Sequence, residues 1–466
     1  MSKTQKFIYR SVFPCTAREL YDFHSRPGAL ERLLPPWDGS EVVWKKGSLA
    51  PGGKVLMKLK QGPISFPWEA HHIEEIPGVM FQDVQHKGPF AQFSHVHRFS
   101  DTPEGALLED EIEFALPFQS LMPAIATRQV YKMLTSIFTY REHTLTEDLK
   151  LHARCSKKPL RILISGASGV LGSVLVPLLT TGGHEVWTLV RRRADPHKNE
   201  IQWDPQNEIL DLSSLPDLDG VIHLAGEYIG LGRWSPAKKR SVIESRTRGT
   251  HLLASAIAAL PKKPDVFLSA SAVGYYGDCG PQIIYEDHPE GNDFISEVCS
   301  LWEGAAAPAK EAGIRTVLMR LGVALTPRGG ALQRLLVTTP LGFFKRFGIG
   351  NQYISWMSID DMVSAMLHCL VTPAIEGPIN IAAPEPVTNI ELLQTLAKTS
   401  SLPQALDIPA WFLKILYGQM ATEILLSGCR VSSGKLKESG FTFRHPTLPE
   451  ALQTLLGKLE NNQTNT

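Results

Sequence analysis

The chain runs to 466 residues, in which lysine plus arginine and aspartate plus glutamate balance at 47 each. That length leaves room for two or three domains, each with its own core, and the charge balance gives no footing for nucleic acid or an anionic membrane. No apolar run reaches the roughly eighteen residues of a membrane span, and no basic start precedes an early apolar stretch, so neither a span nor an export signal is expected.

In chain order, the first region alternates apolar and polar residues in short segments, such as Lys54-Val-Leu-Met-Lys-Leu-Lys60 and Leu108-Glu-Asp-Glu-Ile-Glu-Phe114. A long amphipathic pattern follows from about Met122 to Leu145. Together they predict an antiparallel sheet plus a helix. Residues 1 to about 148 resemble the START-like (SRPBCC) superfamily of polyketide cyclase/dehydrase and lipid-transfer proteins. The match rests on Phe7-Ile-Tyr-Arg-Ser-Val-Phe-Pro14, Ala17-Arg-Glu-Leu-Tyr-Asp-Phe-His24, Leu33-Leu-Pro-Pro36, Phe81-Gln-Asp-Val-Gln-His-Lys-Gly-Pro-Phe90 and His95-Val-His-Arg-Phe99. The resemblance implies an α+β helix-grip domain whose cavity binds an apolar ligand. His71-His72 and His95-Val-His97 raise a metal site, and alternate residues of a strand share a face, but no third ligand stands in a fixed relation to them. A structural role is therefore expected, and no metal.

The basic, aperiodic stretch 149–159, ending in Pro159, predicts an interdomain linker. Beyond it strands and helices alternate, which specifies a parallel sheet covered on both faces. The first such strand, Ile162-Leu-Ile164, runs into glycines at 166, 169 and 172 and then an apolar helix face of Val170, Leu171, Val174, Leu175, Leu178 and Leu179. A tight turn, a close pyrophosphate and close helix packing need those three glycines in turn, so a dinucleotide site is predicted. The next strand, Glu185 to Val190, ends in Arg191-Arg-Arg193 where an NAD-binding chain carries an acidic residue for the ribose. NADP(H) is therefore the expected cofactor. The six scattered cysteines (15, 155, 279, 299, 369 and 429) lack the close pairing of a zinc site and suit a reducing cytoplasm as small buried residues.

Residues 160 to about 457 resemble the extended short-chain dehydrogenase/reductase (SDR) superfamily and, within it, the atypical "epimerase family" branch. The segments that carry the match are His223-Leu-Ala-Gly-Glu227, Glu244-Ser-Arg246, Ser271-Ala-Val-Gly-Tyr-Tyr-Gly277, Cys299-Ser-Leu-Trp-Glu303, Met319-Arg-Leu-Gly-Val-Ala-Leu325, Arg328-Gly-Gly330 and Ser355-Trp-Met-Ser-Ile-Asp-Asp361. The resemblance implies a doubly wound α/β Rossmann fold with a small helical part over about 405–457; the mostly polar residues that end the chain, 458–466, are expected to be a frayed tail. It implies cofactor contacts at Gly166, Ser168, Gly169, Val170, Leu171 and Gly172, at Arg191 and Arg192, at Leu224, Ala225, Gly226 and Glu227, and at Arg246, Ser271 and Arg320.

Catalysis is less complete in the pattern. Ordinary SDR enzymes pair a tyrosine with a lysine four residues later, and a serine on the preceding strand polarises the carbonyl. Ser271 matches the serine, but Val298 aligns with the tyrosine and Trp302 with the lysine. Tyr275 and Tyr276 are either the replacement proton donor or structural; Glu227 and Glu303 are further ionisable candidates. Ser358 stands where the family has a histidine, and Asp360 is expected to cap the next helix. Two readings follow: an NADP(H)-dependent oxidoreductase or epimerase-like enzyme acting on a small, hydrophobic molecule, or an NADPH-binding sensor or scaffold without turnover.

Overall fold

Alternating apolar and polar residues become seven strands in the N-terminal region: β1 (Gln5–Phe13), β2 (Glu41–Lys46), β3 (Lys54–Gln61), β4 (Ile64–Ile76), β5 (Met80–Lys87), β6 (Gln92–Thr102) and β7 (Gly105–Ala115). The structure is a computed structural model and describes residues 4–61, 64–117, 124–155, 158–230, 232–337, 346–402 and 407–460. The strands form one antiparallel sheet in the order β1-β7-β6-β5-β4-β3-β2. Period-two burial gives it a clear inner face, with Ala106, Leu108, Asp110, Ile112 and Phe114 buried along β7 and Phe93, His95, His97 and Phe99 along β6.

Two short helices, α1 (Ala17–Ser25) and α2 (Ala29–Leu33), precede β2, and a 32-residue helix, α3 (Ala124–Cys155), follows β7. A capping box starts α1: Thr16 accepts from Glu19 N–H, and the Glu19 side chain accepts from Thr16 N–H at 2.8 Å. One apolar cluster joins Phe13, Leu20, Phe81, Phe99 and Leu108 to Leu145 of α3; a second joins Phe7, Trp68, Ile112 and Phe114 to Leu134 and Phe138. Burying each such side chain contributes about 1.5–3 kcal/mol. In the same unit Arg32 of α2 forms a buried bidentate pair with Asp148 of α3, at 2.6 and 2.8 Å.

α3 overruns the expected linker. Leu149 packs against the first apolar cluster and Leu151 is buried, so helical burial continues to Cys155 through sequence that lacks an obvious period. Residues 122 and 123, where the helix was expected to begin, and 461–466 of the expected frayed tail lie outside the described residues.

The chain divides into two compact units. One runs to Arg154 and takes in Thr180–Gly183 and the described residues from Gln453 on; the other comprises Cys155–Leu179, less the undescribed pair 156–157, and the described part of His184–Leu452. The second contains the strands β8 (Arg161–Ser165), β9 (Glu185–Val190), β10 (Glu200–Asp204), β11 (Ile209–Leu210), β12 (Gly220–His223), β13 (Val266–Ala272), β14 (Arg315–Leu321) and β15 (Gly377–Ile381). Their order is β11-β10-β9-β8-β12-β13-β14-β15, parallel except for the β10/β11 hairpin. Helices α4 (Gly172–Thr181), α5 (Pro236–Ala258), α6 (Phe294–Gly304) and α7 (Ile359–Val371) lie between strands in the sequence.

Both faces of this sheet are covered, which is why its central strands are almost uniformly apolar. Val221 joins Leu253, Ala254 and Ile257 of α5 in one core cluster. The neighbouring Gly220, pointing the opposite way, admits Leu370 of α7 so closely that a Cβ there would lie 2.5 Å from its methyl. The strand order reverses between β8 and β12. Crevices at such switch points, outside the carboxyl ends of the strands, are where doubly wound sheets bind ligands.

Candidate cofactor and catalytic site

The turn after β8 is shaped by its glycines. Gly166 has φ +75°, and a Cβ on it would come within 2.8 Å of the backbone of Leu224 and Ala225; a Cβ on Gly172 would meet the Gly166 carbonyl at 2.3 Å. Ser168, Gly169 and Val170 are exposed, Leu171 is half-buried, and α4 starts immediately afterwards. This leaves an open stretch of backbone at a helix N-terminus, the arrangement a pyrophosphate takes.

Beneath the turn, Ser165 and His223 lock β8 to β12. Leu224 N–H and Ala225 N–H approach Ser165 Oγ at 3.2 and 3.3 Å, so its hydroxyl proton goes to His223 Nδ1, 2.6 Å away. Complete burial pushes the His223 pKa down to about 3 and keeps the ring neutral.

The three arginines after β9 are exposed, but they are not equivalent. Arg192 is held bidentately by Glu200 at 2.6 and 2.8 Å, and its Nη1 also donates to the Arg193 carbonyl. Arg191 makes no hydrogen bond or ion pair with a described residue. Of the two arginines expected to contact the cofactor, only Arg191 therefore presents an uncommitted guanidinium.

Across the crevice, Gly226 is exposed and the Glu227 carboxylate is gripped by Lys238 and Ser241 of α5, which holds it below the usual carboxylate range. Arg246 donates to the Glu227 carbonyl at 3.1 Å and stacks over the Trp302 ring at 4.9 Å from its centroid. Where the family pattern has a lysine, this chain thus has a tryptophan carrying an arginine from another helix. Val298 is buried.

Ser271 is 2 % exposed and donates to Glu303 Oε1 at 2.7 Å. Arg320 clasps both oxygens of the same carboxylate, at 2.9 and 3.0 Å, and also donates to Tyr276 Oη and the Glu286 carbonyl. Tyr276 passes its own proton to Asn380 at 2.7 Å, and burial raises its pKa to about 12. The Arg320 guanidinium is thus engaged on several sides by this buried network. Tyr275 differs from its neighbour. It is half-buried, its ring lies under the Arg320 guanidinium at 3.6 Å, and its hydroxyl has no hydrogen bond to a described residue.

At α7 the cap is Ser358, whose Oγ accepts from Asp361 N–H at 3.1 Å, rather than Asp360. A histidine does reach this position from elsewhere in the chain: buried His445 lies 3.0 Å from Ser358 Oγ through Nδ1, and its backbone N–H donates to Asp361. Neither this link nor the Ser271–Glu303–Arg320 chain carries a local sequence signal.

Comparison with known proteins agrees with this architecture. Residues 162–382 match the NAD dependent epimerase/dehydratase family, 14–136 match "Polyketide cyclase / dehydrase and lipid transport", and 408–455 match a domain of unknown function, DUF1731. The chain is 37 % identical over 291 residues to epimerase family protein Mb2239 of Mycobacterium bovis, spanning 62 % of this chain and 96 % of that one. It is 33 % identical over 300 residues to human epimerase family protein SDR39U1, spanning 64 % of this chain and all of that one. Among solved structures, a nucleoside-diphosphate sugar epimerase from Corynebacterium glutamicum superposes with TM-score 0.80 at 33 % identity, covering 97 % of this chain and 90 % of that one. Human SDR39U1 (isoform 2) with NADPH superposes with TM-score 0.60 at 31 % identity, covering 64 % of this chain and 100 % of that one.

Proposed function

The chain belongs to the NAD dependent epimerase/dehydratase family, as an SDR39U1-like epimerase family protein with an N-terminal polyketide cyclase-like unit, and from that premise we propose that it is an NADP(H)-dependent oxidoreductase acting on a small-molecule substrate. The glycine turn fits a dinucleotide: the backbone at Ser168–Val170 is exposed, and its central residue, Gly169, has no side chain to stand in the cradle. Support for the phosphorylated form comes from Arg191, an exposed guanidinium at the end of β9 with no hydrogen bond to a described residue, and from the solved structure of human SDR39U1 with NADPH.

When bound, the nicotinamide would supply or accept a hydride. The chain's part is to hold it and to move a proton. Arg191 binds the 2′-phosphate, and Arg246, stacked on Trp302, lends positive charge beside the Gly226 turn. Tyr275 transfers the proton, and Ser271 acts on the reacting centre indirectly, by fixing Glu303 and hence Arg320 against the Tyr275 ring.

The observation that carries this assignment is the difference between two adjacent phenols: that of Tyr276 is committed to Asn380, and that of Tyr275 is not. Single-turnover oxidation of NADPH with a panel of carbonyl compounds and sugar nucleotides, comparing Tyr275→Phe with the parent chain, tests it. The second reading, a sensor that binds NADPH without turnover, is favoured by the burial of Val298 and Trp302 where acid–base groups would stand. Tight NADPH binding with no oxidation by any substrate in the panel selects it. The N-terminal unit, in either case, is proposed to hold an apolar ligand against its aromatic cluster of Phe7, Trp68, Phe93 and Phe138.

A further inference from the structure

The inner face of the N-terminal sheet is not apolar throughout. Asp110 on β7, His95 and His97 on β6, Asp83 on β5 and His72 on β4 form a polar band crossing adjacent strands. Register brings them together: Asp110 is opposite His97, and Asp83 is opposite both His95 and His72. His95, His97 and Asp110 are each less than 9 % exposed.

Within this band Asp83, His95 and His97 each offer one donor atom, and the three atoms lie within 4.8 Å of one another. His97 Nε2 faces Asp83 Oδ2 at 3.8 Å, and its Nδ1 lies 2.7 Å from Asp110 Oδ1 without the alignment of a hydrogen bond. A buried imidazole between two carboxylates thus has neither nitrogen committed to an aligned hydrogen bond among the described residues. Asp110 stands behind both rings, since the same oxygen is 2.9 Å from His95 Nε2. Carboxylates in that position orient imidazoles that ligate metals. His72, across from Asp83, has a buried Nδ1 with no hydrogen-bond partner.

We propose that Asp83, His95 and His97 ligate a divalent transition-metal ion of the Zn²⁺ type in the concave face of the N-terminal unit, with Asp110 positioning the two histidines. The donor set suits this class: two imidazoles and a carboxylate bind Zn²⁺ and its neighbours at about 2.0–2.2 Å, and donors a few ångströms apart close on such an ion with small side-chain rotations. Three protein ligands leave a coordination position for water or a bound molecule. A histidine pair alone would not specify the site; the carboxylate supplied by β5 does.

The test uses the full chain, stripped with a chelator and titrated with Zn²⁺ and separately with Co²⁺. One ion per chain is expected, with a rise in Tm and, for Co²⁺, visible ligand-field absorption. His95→Gln and Asp83→Asn should each weaken binding at least tenfold. The partly exposed group Glu69, His71 and His86 on the same sheet provides the control, and His71→Gln should leave stoichiometry and spectrum unchanged. Because Co²⁺ absorption is read on the unaltered chain, a variant that fails to fold does not decide the matter. Absence of uptake by the stripped chain, or uptake lost in His71→Gln but retained in His95→Gln, overturns the proposal; the carboxylates would then be balanced by the histidines and by Arg141 of α3, whose charge reaches both.

Discussion

Ser271 gives its hydroxyl proton to Glu303 across 2.7 Å, and Glu303 is itself clamped by Arg320. The serine that polarises a substrate carbonyl in ordinary SDR enzymes is here the outer end of a buried ion pair. On the proposed scheme its role is positional, and this separates the two candidate groups experimentally.

Tyr275→Phe is expected to slow single-turnover NADPH oxidation by roughly 10²–10⁴-fold, the range for removal of a general acid. Ser271→Ala, which leaves the Glu303–Arg320 pair standing, should slow it by no more than about tenfold, or about 1.4 kcal/mol. Equal losses in stopped-flow traces would return Ser271 to the reacting centre.

Arg191→Ala should weaken NADPH binding about 10- to 100-fold, corresponding to about 1.5–3 kcal/mol for a charge-assisted contact, and leave NADH nearly unaffected. Arg192→Ala should do less, because Glu200 already holds that guanidinium. Fluorescence titration with both cofactors reads the difference, and an equal loss for NADH in Arg191→Ala would remove the 2′-phosphate assignment.

His223 makes the Rossmann unit sensitive to acid. Above pH 6.5 the ring is neutral in both folded and unfolded chains and pH has no effect through it. Below that, the unfolded chain takes up a proton that the buried ring, with its pKa near 3, refuses, so stability falls as pH drops, by about 1.4 kcal/mol per unit. Exchange rates of the β8 and β12 amides should rise between pH 6.5 and 5, after correction for intrinsic rates, and His223→Gln should flatten that rise.

Arg32→Met leaves Asp148 charged and buried and is expected to cost about 3–5 kcal/mol in the N-terminal unit; Asp148→Leu added to it should recover most of the loss. Urea unfolding of the single and double variants measures this, and a double variant as unstable as the single would assign the loss to packing instead.

Much of the fold was legible because its signals are local. Three glycines between an apolar strand and an apolar helix face announce the β8 turn, and period-two patterning announces β6 and β7. The end of α3 was not, since Leu149 and Leu151 are set among basic residues whose helical state depends on packing. Tertiary pairing hid the rest. Glu303 meets Arg320 and Ser271 only because α6 lies beside β13 and β14, and Asp83 meets His95 only through the β5/β6 register. Composition carries neither fact.

At Gly166 the backbone of one turn touches the backbone of another, with no room for a single carbon between them and the Leu224–Ala225 peptide. Two loops that are distant in sequence therefore fix each other's closest approach. Any side chain at residue 166 would pry both loops apart at once, coupling a loss of binding to a loss of alignment.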